Sequence, residues 1–344
     1  MSTQPDRVTR EPDFNQMLKV LRGERPDRPV LCEFAINGRI LEAFADPGLR
    51  PAERQDPAST YWATAWRNLG FDYMMAAGTY RFPRAERAKE RTVSLNEGAV
   101  ITDRTSFESC GWSDPDESHF TFIREARLPD GMKIITSIPG GVLENVVNMV
   151  GYERMCYWSV DEPDLLGEVF DAVGSRLVRF YEICAGYENV GACFVNDDWG
   201  FKTQTMLPPS GMRRYVIPWH RRIVEVIHAA GKPALLHSCG NLSEVMEDVI
   251  EWIAFDAKHS FEDSILPIED AYERWGGRIA LLGGIDVDFL CRSMPDAIRA
   301  RSRAMLERAA ARGGYALGSG NSVPDYVPDE SFLAMVGAAF DGAG

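Results

Sequence analysis

From about residue 164 onward, the apolar positions of the chain follow two alternating spacings. Stretches with apolar residues three and four apart, the period of an amphipathic helix, alternate with short apolar runs typical of buried strands. The first pair is a helix over Asp164–Tyr187 followed by a strand over Val190–Val195, and a helix from Ser210 to the stop signal at Gly231 comes next. Four strand–helix pairs then follow, with strands at Ala234–His237, Ala254–Ser260, Ile279–Gly283 and Tyr315–Leu317, and helices at Leu242–Ile253, Pro267–Trp275, Pro295–Arg312 and Asp329–Phe340.

The N-terminal half is less regular. Apolar runs at Pro29–Phe34 and Phe71–Ala77 predict two early strands. Between Val100 and Ile138, short alternating segments are separated by Asp-Pro at 114–115 and Asp-Gly at 130–131, which are turn signals. We interpret this region as an antiparallel insertion.

Strands that alternate with helices predict parallel βαβ units, and the number of units favours closure into an α/β fold of the (β/α)8 barrel type. We expect a flexible N-terminus over residues 1–14 and a single barrel domain over residues 15–344. An open doubly wound sheet is the structural alternative. No Gly-x-Gly-x-x-Gly follows the first strand, which disfavours it.

Charge and composition narrow the possible partners. The formal net charge of −14 disfavours binding to nucleic acid or to an anionic membrane surface. No apolar run approaches the ~18 residues of a membrane span, and the first residues lack the apolar core of a signal peptide. The seven cysteines form no Cys-x-x-Cys pair, which indicates reduced thiols. We therefore expect a cytoplasmic protein.

Barrel active sites are built at the carboxyl ends of the strands, so the polar residues that follow each strand are the candidates for chemistry. The first two strands are followed by candidate substrate-binding residues, namely Glu33, Asn37, Arg39 and Tyr80. Later strands are followed by Asp197, Asp198, His237, Cys239, Asn241, His259, Glu262, Asp286, Ser319 and Asn321.

The segment His237-Ser238-Cys239 is the sharpest of these signals. Residues two apart at an extended strand end point the same way, so one imidazole and one thiolate can share a zinc ion. Glu262, after the next strand, is the preferred third ligand, and His259 is its rival. The alternatives are a packed cysteine, a core histidine, and a Glu262 carboxylate that merely favours the start of the next helix.

The acidic residues and amides supply further candidates. Adjacent acids point to opposite sides, so one of Asp197 and Asp198 is expected to enter the cavity, and Asp198 is our catalytic candidate. Asp286 is a second catalytic candidate, and the alternative is that it only forms a turn. Asn241 and Asn321 are candidates for binding substrate. Arg39 and Glu33 are candidates for binding a substrate carboxylate or for holding the site together, and a salt bridge at the N-terminal rim is the alternative.

Several of these segments together resemble the uroporphyrinogen decarboxylase superfamily. They are Asn196–Gly200, Pro208–Ser210, His237–Asn241, Gly283–Asp286 and Leu317–Pro324, so the resemblance covers residues 160–340. True uroporphyrinogen decarboxylases carry an arginine-rich N-terminal signature and a histidine where this chain has Ser319. The His-x-Cys pair is similar instead to the corrinoid-linked methyltransferases related to methylcobamide:coenzyme M methyltransferase.

That resemblance implies zinc held by His237 and Cys239, with a corrinoid carried on a separate partner protein. The later family cysteine is replaced by Ser319, a catalytic candidate here, so a site of His, Cys and Glu would suit polarisation of an oxygen. The expected function is methyl transfer between the corrinoid and either a small methylated compound, for example a methoxylated one, or a thiol or other acceptor. A decarboxylase or other lyase and a scaffold without chemistry are the alternatives. The family also implies a homodimer.

Overall fold

The computed structural model describes residues 10–50, 60–84, 94–138 and 140–341 of the chain. Its centre is a parallel sheet of seven strands that are hydrogen-bonded in chain order. The strands are β1 (Tyr73–Ala77), β2 (Lys133–Ser137), β3 (Val190–Asn196), β4 (Ala234–His237), β5 (Ala257–His259), β6 (Ala280–Leu282) and β7 (Tyr315–Ala316). Strand β3 is apolar on both faces, as expected for a strand covered on both sides.

Beyond β7, the segment around Leu31 forms a parallel bridge with Leu317, and Ile36 bridges Val323. The same segment reaches β1 at the other edge of the sheet, because the Tyr73 hydroxyl donates to the carbonyl of Glu33 at 2.7 Å. The two edges of the sheet therefore approach one another. The fold is a mixed α/β architecture with a curled, all-parallel sheet, consistent with a TIM-type barrel.

Helices cover the outside of the sheet, and nearly all the buried apolar side chains belong to one continuous core. The helices are α1 (Phe14–Leu21), α2 (Gly38–Phe44), α3 (Tyr61–Asn68), α4 (Arg104–Glu108), α5 (Thr121–Glu125), α6 (Val142–Val150), α7 (Tyr152–Asp161), α8 (Pro163–Ala185), α9 (Pro209–Gly211), α10 (Ile217–Ala229), α11 (Ile268–Trp275), α12 (Val287–Arg292), α13 (Pro295–Ala309) and α14 (Asp329–Gly337). Short 3₁₀ segments lie at Pro47–Leu49, Glu117–Phe120 and Ala338–Phe340, and π-helical turns at Met212–Val216 and Asp248–Ile253. None of the described helices is long and apolar enough to cross a membrane.

The predicted antiparallel insertion is wrong. Lys133–Ser137 is the core strand β2, which pairs in parallel with β1 and β3. Residues before it form the short helices α4 and α5 instead of strands. The alternating pattern of the segment is compatible with either pairing, and only its position between two parallel neighbours decides which one forms.

The N-terminus that we expect to be flexible, residues 1–14, is described by the structure only from residue 10 onward. Residues 1–9 lie outside the described residues. From residue 10 onward the chain is held against the sheet, because Arg10 donates to the carbonyls of Pro29 and Gly70 at 3.0 and 2.7 Å. Asp13 caps α1 and its backbone N–H donates to Asp72.

Candidate metal centre

Three side chains with metal-binding atoms meet at the carboxyl ends of β3 and β4. They are Asp198, His237 and Cys239, whose ligand atoms all lie within 4.8 Å of one another. The loop after β3 reaches the loop after β4 because two glycines touch: a Cβ on Gly240 would lie 2.2 Å from the backbone of Gly200. This contact places the Asp198 carboxylate where it accepts a hydrogen bond from the Cys239 N–H at 2.8 Å.

The predicted third ligand, Glu262, does not belong to this cluster. It begins the turn after β5, where its carbonyl accepts the N–H groups of Ile265 and Leu266. Its side chain lines a small cavity of about 30 Å³ beside Lys258. Asp198, predicted as a catalytic residue, is the third member of the cluster, because the loop after β3 packs directly on the loop after β4.

His237 is fixed on three sides. Its Nε2 faces the Cys239 sulfur at 3.9 Å, and its ring stacks on Phe34 with centroids 4.1 Å apart. Its Nδ1 lies 2.7 Å from Nδ1 of His259, the rival ligand of the sequence analysis, which therefore stands behind His237. Burial, and then the positive charge of Lys258, lower the pKa of His237 to about 3, so the imidazole is neutral at physiological pH.

The Cys239 sulfur accepts two hydrogen bonds. Ser260 Oγ donates at 3.3 Å and Asn321 Nδ2 at 3.2 Å. Burial and the neighbouring Asp198 carboxylate raise the pKa of the thiol to about 12. Nearby, burial lowers the pKa of the Lys258 ammonium to about 8.

The adjacent acids divide their roles as the alternation of side chains predicts. Asp197 is fully buried and faces away from the cluster, where its carboxylate accepts the Leu143 and Glu144 N–H groups at the start of α6, both at 2.9 Å. It also accepts hydrogen bonds from Trp199 Nε1 and pairs with His220 Nε2 at 2.7 Å. Asp197 thus anchors a helix, while Asp198 faces the site.

Glu144 is a candidate that the sequence analysis missed. Its carboxylate accepts hydrogen bonds from Asn196 Nδ2 at 3.1 Å and from the Gly141 N–H at 3.3 Å. Burial first, and then the charges of Asp197 and Asp198, raise its pKa to about 8, a range useful for general acid–base chemistry. The double glycine at 140–141 after an apolar run is a sequence signal for this residue, but it follows a strand that the alternating pattern places in the predicted insertion.

Glu33 and Ser319 form a closed pair. Glu33 is 0% exposed, and its carboxylate accepts hydrogen bonds from the Ser319 N–H at 2.7 Å and from Ser319 Oγ at 2.6 Å. Burial raises the pKa of Glu33 to about 8. This arrangement joins the first segment of the sheet to the loop after β7, so Glu33 holds the site together and does not face an open cavity.

Other predicted residues also have structural partners. Arg39 pairs with Asp329 at 2.7 Å, which is the rim salt bridge that the sequence analysis left open. Asn37 caps α2. The Tyr80 hydroxyl donates to the Ser113 carbonyl at 2.7 Å.

Asp286 caps α12 with one oxygen and accepts the Asp263 N–H with the other. Asn241 stays half-buried beside the small cavity and accepts the Ser243 N–H. The caps and pairs formed by these residues compete with the substrate-binding and catalytic roles expected for them.

Two larger cavities open at this end of the sheet. One, of about 770 Å³, is lined by apolar side chains with a few hydroxyls and one amide: Phe34, Ala35, Ile36, Gly38, Leu41, Trp62, Trp66, Met74, Met75, Ala76, Ala77, Thr79, Ser118, Thr121, Phe122, Ser137, Ile138 and Asn196. Phe34 joins this cavity to the cluster, since the same ring stacks on His237. The other cavity, of about 1090 Å³, includes Asn321, Glu262 and Asp286 in its wall.

A parallel sheet with titratable and metal-binding side chains gathered at the carboxyl ends of its strands is the layout of a barrel enzyme. Residues 122–341 match the model of the uroporphyrinogen decarboxylase (URO-D) family, and the chain belongs to that family. The superfamily expected from the sequence is thereby confirmed.

Curated relatives include uroporphyrinogen decarboxylases of two bacteria. The protein of Xanthomonas campestris pv. campestris is 31% identical over 191 residues, which cover 52% of this chain and 50% of the relative. That of Burkholderia mallei is 27% identical over 184 residues, which cover 51% and 46%. The chain thus matches about half the length of these relatives.

Solved structures with a similar fold include a methyltransferase from Methanosarcina mazei. Its TM-score is 0.72 at 17% identity, and the match covers 97% of this chain and 100% of that chain. A putative vitamin-B12 independent methionine synthase from Listeria monocytogenes has a TM-score of 0.51 at 12% identity, with 97% and 99% covered. At these identities the likeness shows the fold alone.

Proposed function

We propose that this protein is a zinc-dependent methyltransferase of the corrinoid-linked branch of its family. The observation that carries the proposal is the cluster of Asp198, His237 and Cys239, which stands next to an uncharged cavity. The methyl group moves between a small methylated compound in that cavity and a corrinoid held on a partner protein. In the same proposal, the segment at Leu31 is the eighth strand and closes a (β/α)8 barrel.

The residues present fit a zinc ion. One carboxylate, one imidazole and one thiol are zinc ligand types, and three protein ligands leave the fourth position open, as in catalytic zinc sites. The outer contacts fit as well, since His237 is oriented through its second ring nitrogen by His259 and the Cys239 sulfur receives two hydrogen bonds. When bound, zinc supplies a Lewis acid that polarises an oxygen or sulfur atom of the substrate.

The protein's own residues position the substrate. The cavity walls suit an uncharged, largely apolar molecule, and Phe34, which lines the cavity, stacks on the ring of His237. The amide of Asn196 lines the same cavity and donates a hydrogen bond to Glu144. In this proposal Asn196, which immediately precedes the acidic pair Asp197 and Asp198, meets the polar, methyl-bearing end of the substrate.

Decarboxylation of a porphyrinogen, the activity named for the curated relatives, fits this cavity poorly. The described residues that line it include no arginine, lysine or histidine. A molecule with several carboxylates would lose its hydration there without gaining a positive partner, which is costly. The cavity therefore supports the methyltransferase over the decarboxylase. Homodimer formation and a cytoplasmic location stay predictions.

Two measurements test the proposal. Purified protein should contain about one zinc per chain by elemental analysis, and His237→Ala and Cys239→Ala should lose it, whereas Cys291→Ala on α12 should keep it. Absorption of a cobalt(I) corrinoid should then report methyl transfer from one or more members of a panel of uncharged methylated donors. A protein without metal, or a zinc protein that methylates no corrinoid and decarboxylates a porphyrinogen, would overturn the proposal.

A further inference from the structure

The sulfur of Cys239 lies where three strand ends meet. Ser260 comes from the loop after β5 and Asn321 from the loop after β7, and each donates one hydrogen bond to the sulfur, at 3.3 and 3.2 Å. The two donors are distant in sequence and approach the sulfur from different strands. Neither hydrogen bond follows from the local conformation around Cys239.

Ser260 reaches the sulfur in an unusual backbone conformation. Its φ is 82°, in the left-handed region that side chains other than glycine avoid. Such a conformation persists only where the surroundings enforce it, and it is concentrated at functional sites. The peptide after it is fixed on the other side, because the Phe261 N–H donates to the Gly320 carbonyl at 2.8 Å.

Lys258 holds the carbonyl of Ser260 in place. Its ammonium donates to the Ser260 carbonyl at 2.6 Å and to the carbonyls of Ser238 and His259 at 3.3 Å. The side chain is only 3% exposed, and its nitrogen lies 4.3 Å from the centre of the Phe261 ring. Among the residues that the structure describes, no carboxylate forms an ion pair with it. All three N–H donors of this buried lysine therefore bind carbonyls at the strand ends, and we interpret its role as fixing the positions of those carbonyls.

We propose that Ser260 and Asn321 form a two-donor cradle for the sulfur of Cys239, and that Lys258 is the positioning residue that keeps Ser260 in it. The two donors engage lone pairs of a thiolate, lower its electron density and fix its direction. This inference rests on the proposed function, since the sulfur then binds the metal. Outer contacts of this kind tune both the affinity and the electronic properties of a metal site.

Cobalt(II) loaded into the purified full-length protein provides the probe, because a thiolate bound to cobalt gives a charge-transfer band in the near ultraviolet. Losing a hydrogen bond raises the energy of the sulfur lone pair, so the band should move to longer wavelength in Ser260→Ala and in Asn321→Leu. The dissociation constant for cobalt should rise by about 10- to 100-fold in each variant. Lys258→Met, which keeps the length of the side chain but removes its donors, should reproduce the shift of Ser260→Ala.

A double variant isolates the positioning role. If Lys258 acts through Ser260, Lys258→Met should add no further band shift in the Ser260→Ala background. Lys232→Met provides the matched control, because Lys232 lies at the opposite end of β4 and should leave the band in place. Ser260→Gly separates strain from donation, since it should move the band like Ser260→Ala while raising the melting temperature.

The outcomes distinguish the cradle from the proposed function. A cobalt–thiolate band that stays in place in Ser260→Ala and Asn321→Leu overturns the cradle and leaves the metal site standing. An equal shift from Lys258→Met with and without Ser260 overturns the positioning role. Absence of any cobalt–thiolate band in the unmodified protein overturns the proposed metal site, and the cradle with it.

Discussion

His237 and His259 face each other inside the sheet with their Nδ1 atoms 2.7 Å apart, so a single proton lies between them. The register of β4 and β5 places the two residues side by side. Burial lowers the pKa of both rings, which keeps them neutral. The backbone of Ser319 opposes this lowering of the His259 pKa. A metal bound to Nε2 of His237 requires the proton of that neutral ring to be on Nδ1, so we infer that His237 donates through Nδ1 to His259.

Replacing His259 should therefore lower the affinity of the proposed site for zinc, although His259 is not itself a member of the cluster. In His259→Phe the Nδ1 proton of His237 loses its acceptor, and we expect the zinc dissociation constant to rise by about 10- to 100-fold. Competition with a chromophoric chelator measures it. His228→Phe, at a histidine paired with Asp256 at 2.8 Å, is the control. Equal zinc affinity in the His259 variant and the unmodified protein would contradict the inferred proton position.

The identity of the third ligand can be tested by a pair of isosteric variants. Asp198→Asn removes a charged ligand and should lower zinc affinity steeply, whereas Glu262→Gln lies outside the cluster and should keep it. Both substitutions remove one negative charge, so a general electrostatic effect would act on both. Loss of zinc from Glu262→Gln alone would restore the ligand set predicted from the sequence.

The buried Glu33 should make stability depend on pH. Its pKa rises from 4.5 to about 8 on folding, so between these values the folded protein holds a proton that the unfolded chain has lost. The free energy of unfolding should then fall as the pH rises, by at most about 1.4 kcal/mol per pH unit from this group. Urea unfolding at several values between pH 5 and pH 8 measures the slope. Glu33→Gln should flatten it, and an unchanged slope would show that Glu33 is charged in the folded protein.

A large side chain in the apolar cavity should block substrate without disturbing the metal. Ala77 ends β1, lines the cavity and is exposed to it. We expect Ala77→Trp to raise KM for the methyl donor while zinc content stays at one per chain. Ala300→Trp on the exposed face of α13 is the size-matched control. Unaltered kinetics in Ala77→Trp would show that substrate binds elsewhere, the cavity beside Asn321 being the next choice.

Gly141 should tolerate no side chain. A Cβ there would lie 2.2 Å from the Asp197 Cβ and 2.5 Å from the Asn196 carbonyl, so Gly141→Ala should destabilise the fold by about 1–3 kcal/mol. Gly167 is the matched control, because it lies within α8 with nothing within 4 Å of the added carbon, and Gly167→Ala should stabilise by up to about 1 kcal/mol. Chemical denaturation measures both. Similar stability of the two variants would argue against the tight contact between α6 and the loop after β3.

The parallel α/β architecture from residue 190 onward could be predicted from the sequence, because the helical and strand periods of apolar residues are local properties. Each predicted strand in this half is present, and β4 has the predicted bounds, although β5, β6 and β7 are shorter than predicted. The predicted helix over Leu242–Ile253 is helical over residues 246–253, and its first residues form a turn. The pairing of His237 with Cys239 could also be predicted from the sequence, since two residues two apart at a strand end point to the same side whatever the rest of the chain does.

The residues that surround this pair depend on contacts between distant parts of the chain. Asp198, and not Glu262, lies beside His237 and Cys239 because Gly200 and Gly240 touch, and contact between two loops is not encoded in the spacing of either. The assignment of Lys133–Ser137 to the parallel sheet, and with it the placement of Glu144 near the acidic pair, depends on neighbouring strands more than fifty residues away. The donors to the Cys239 sulfur are Ser260 and Asn321, in the loops after β5 and β7, because the curvature of the sheet brings separate strand ends to one point.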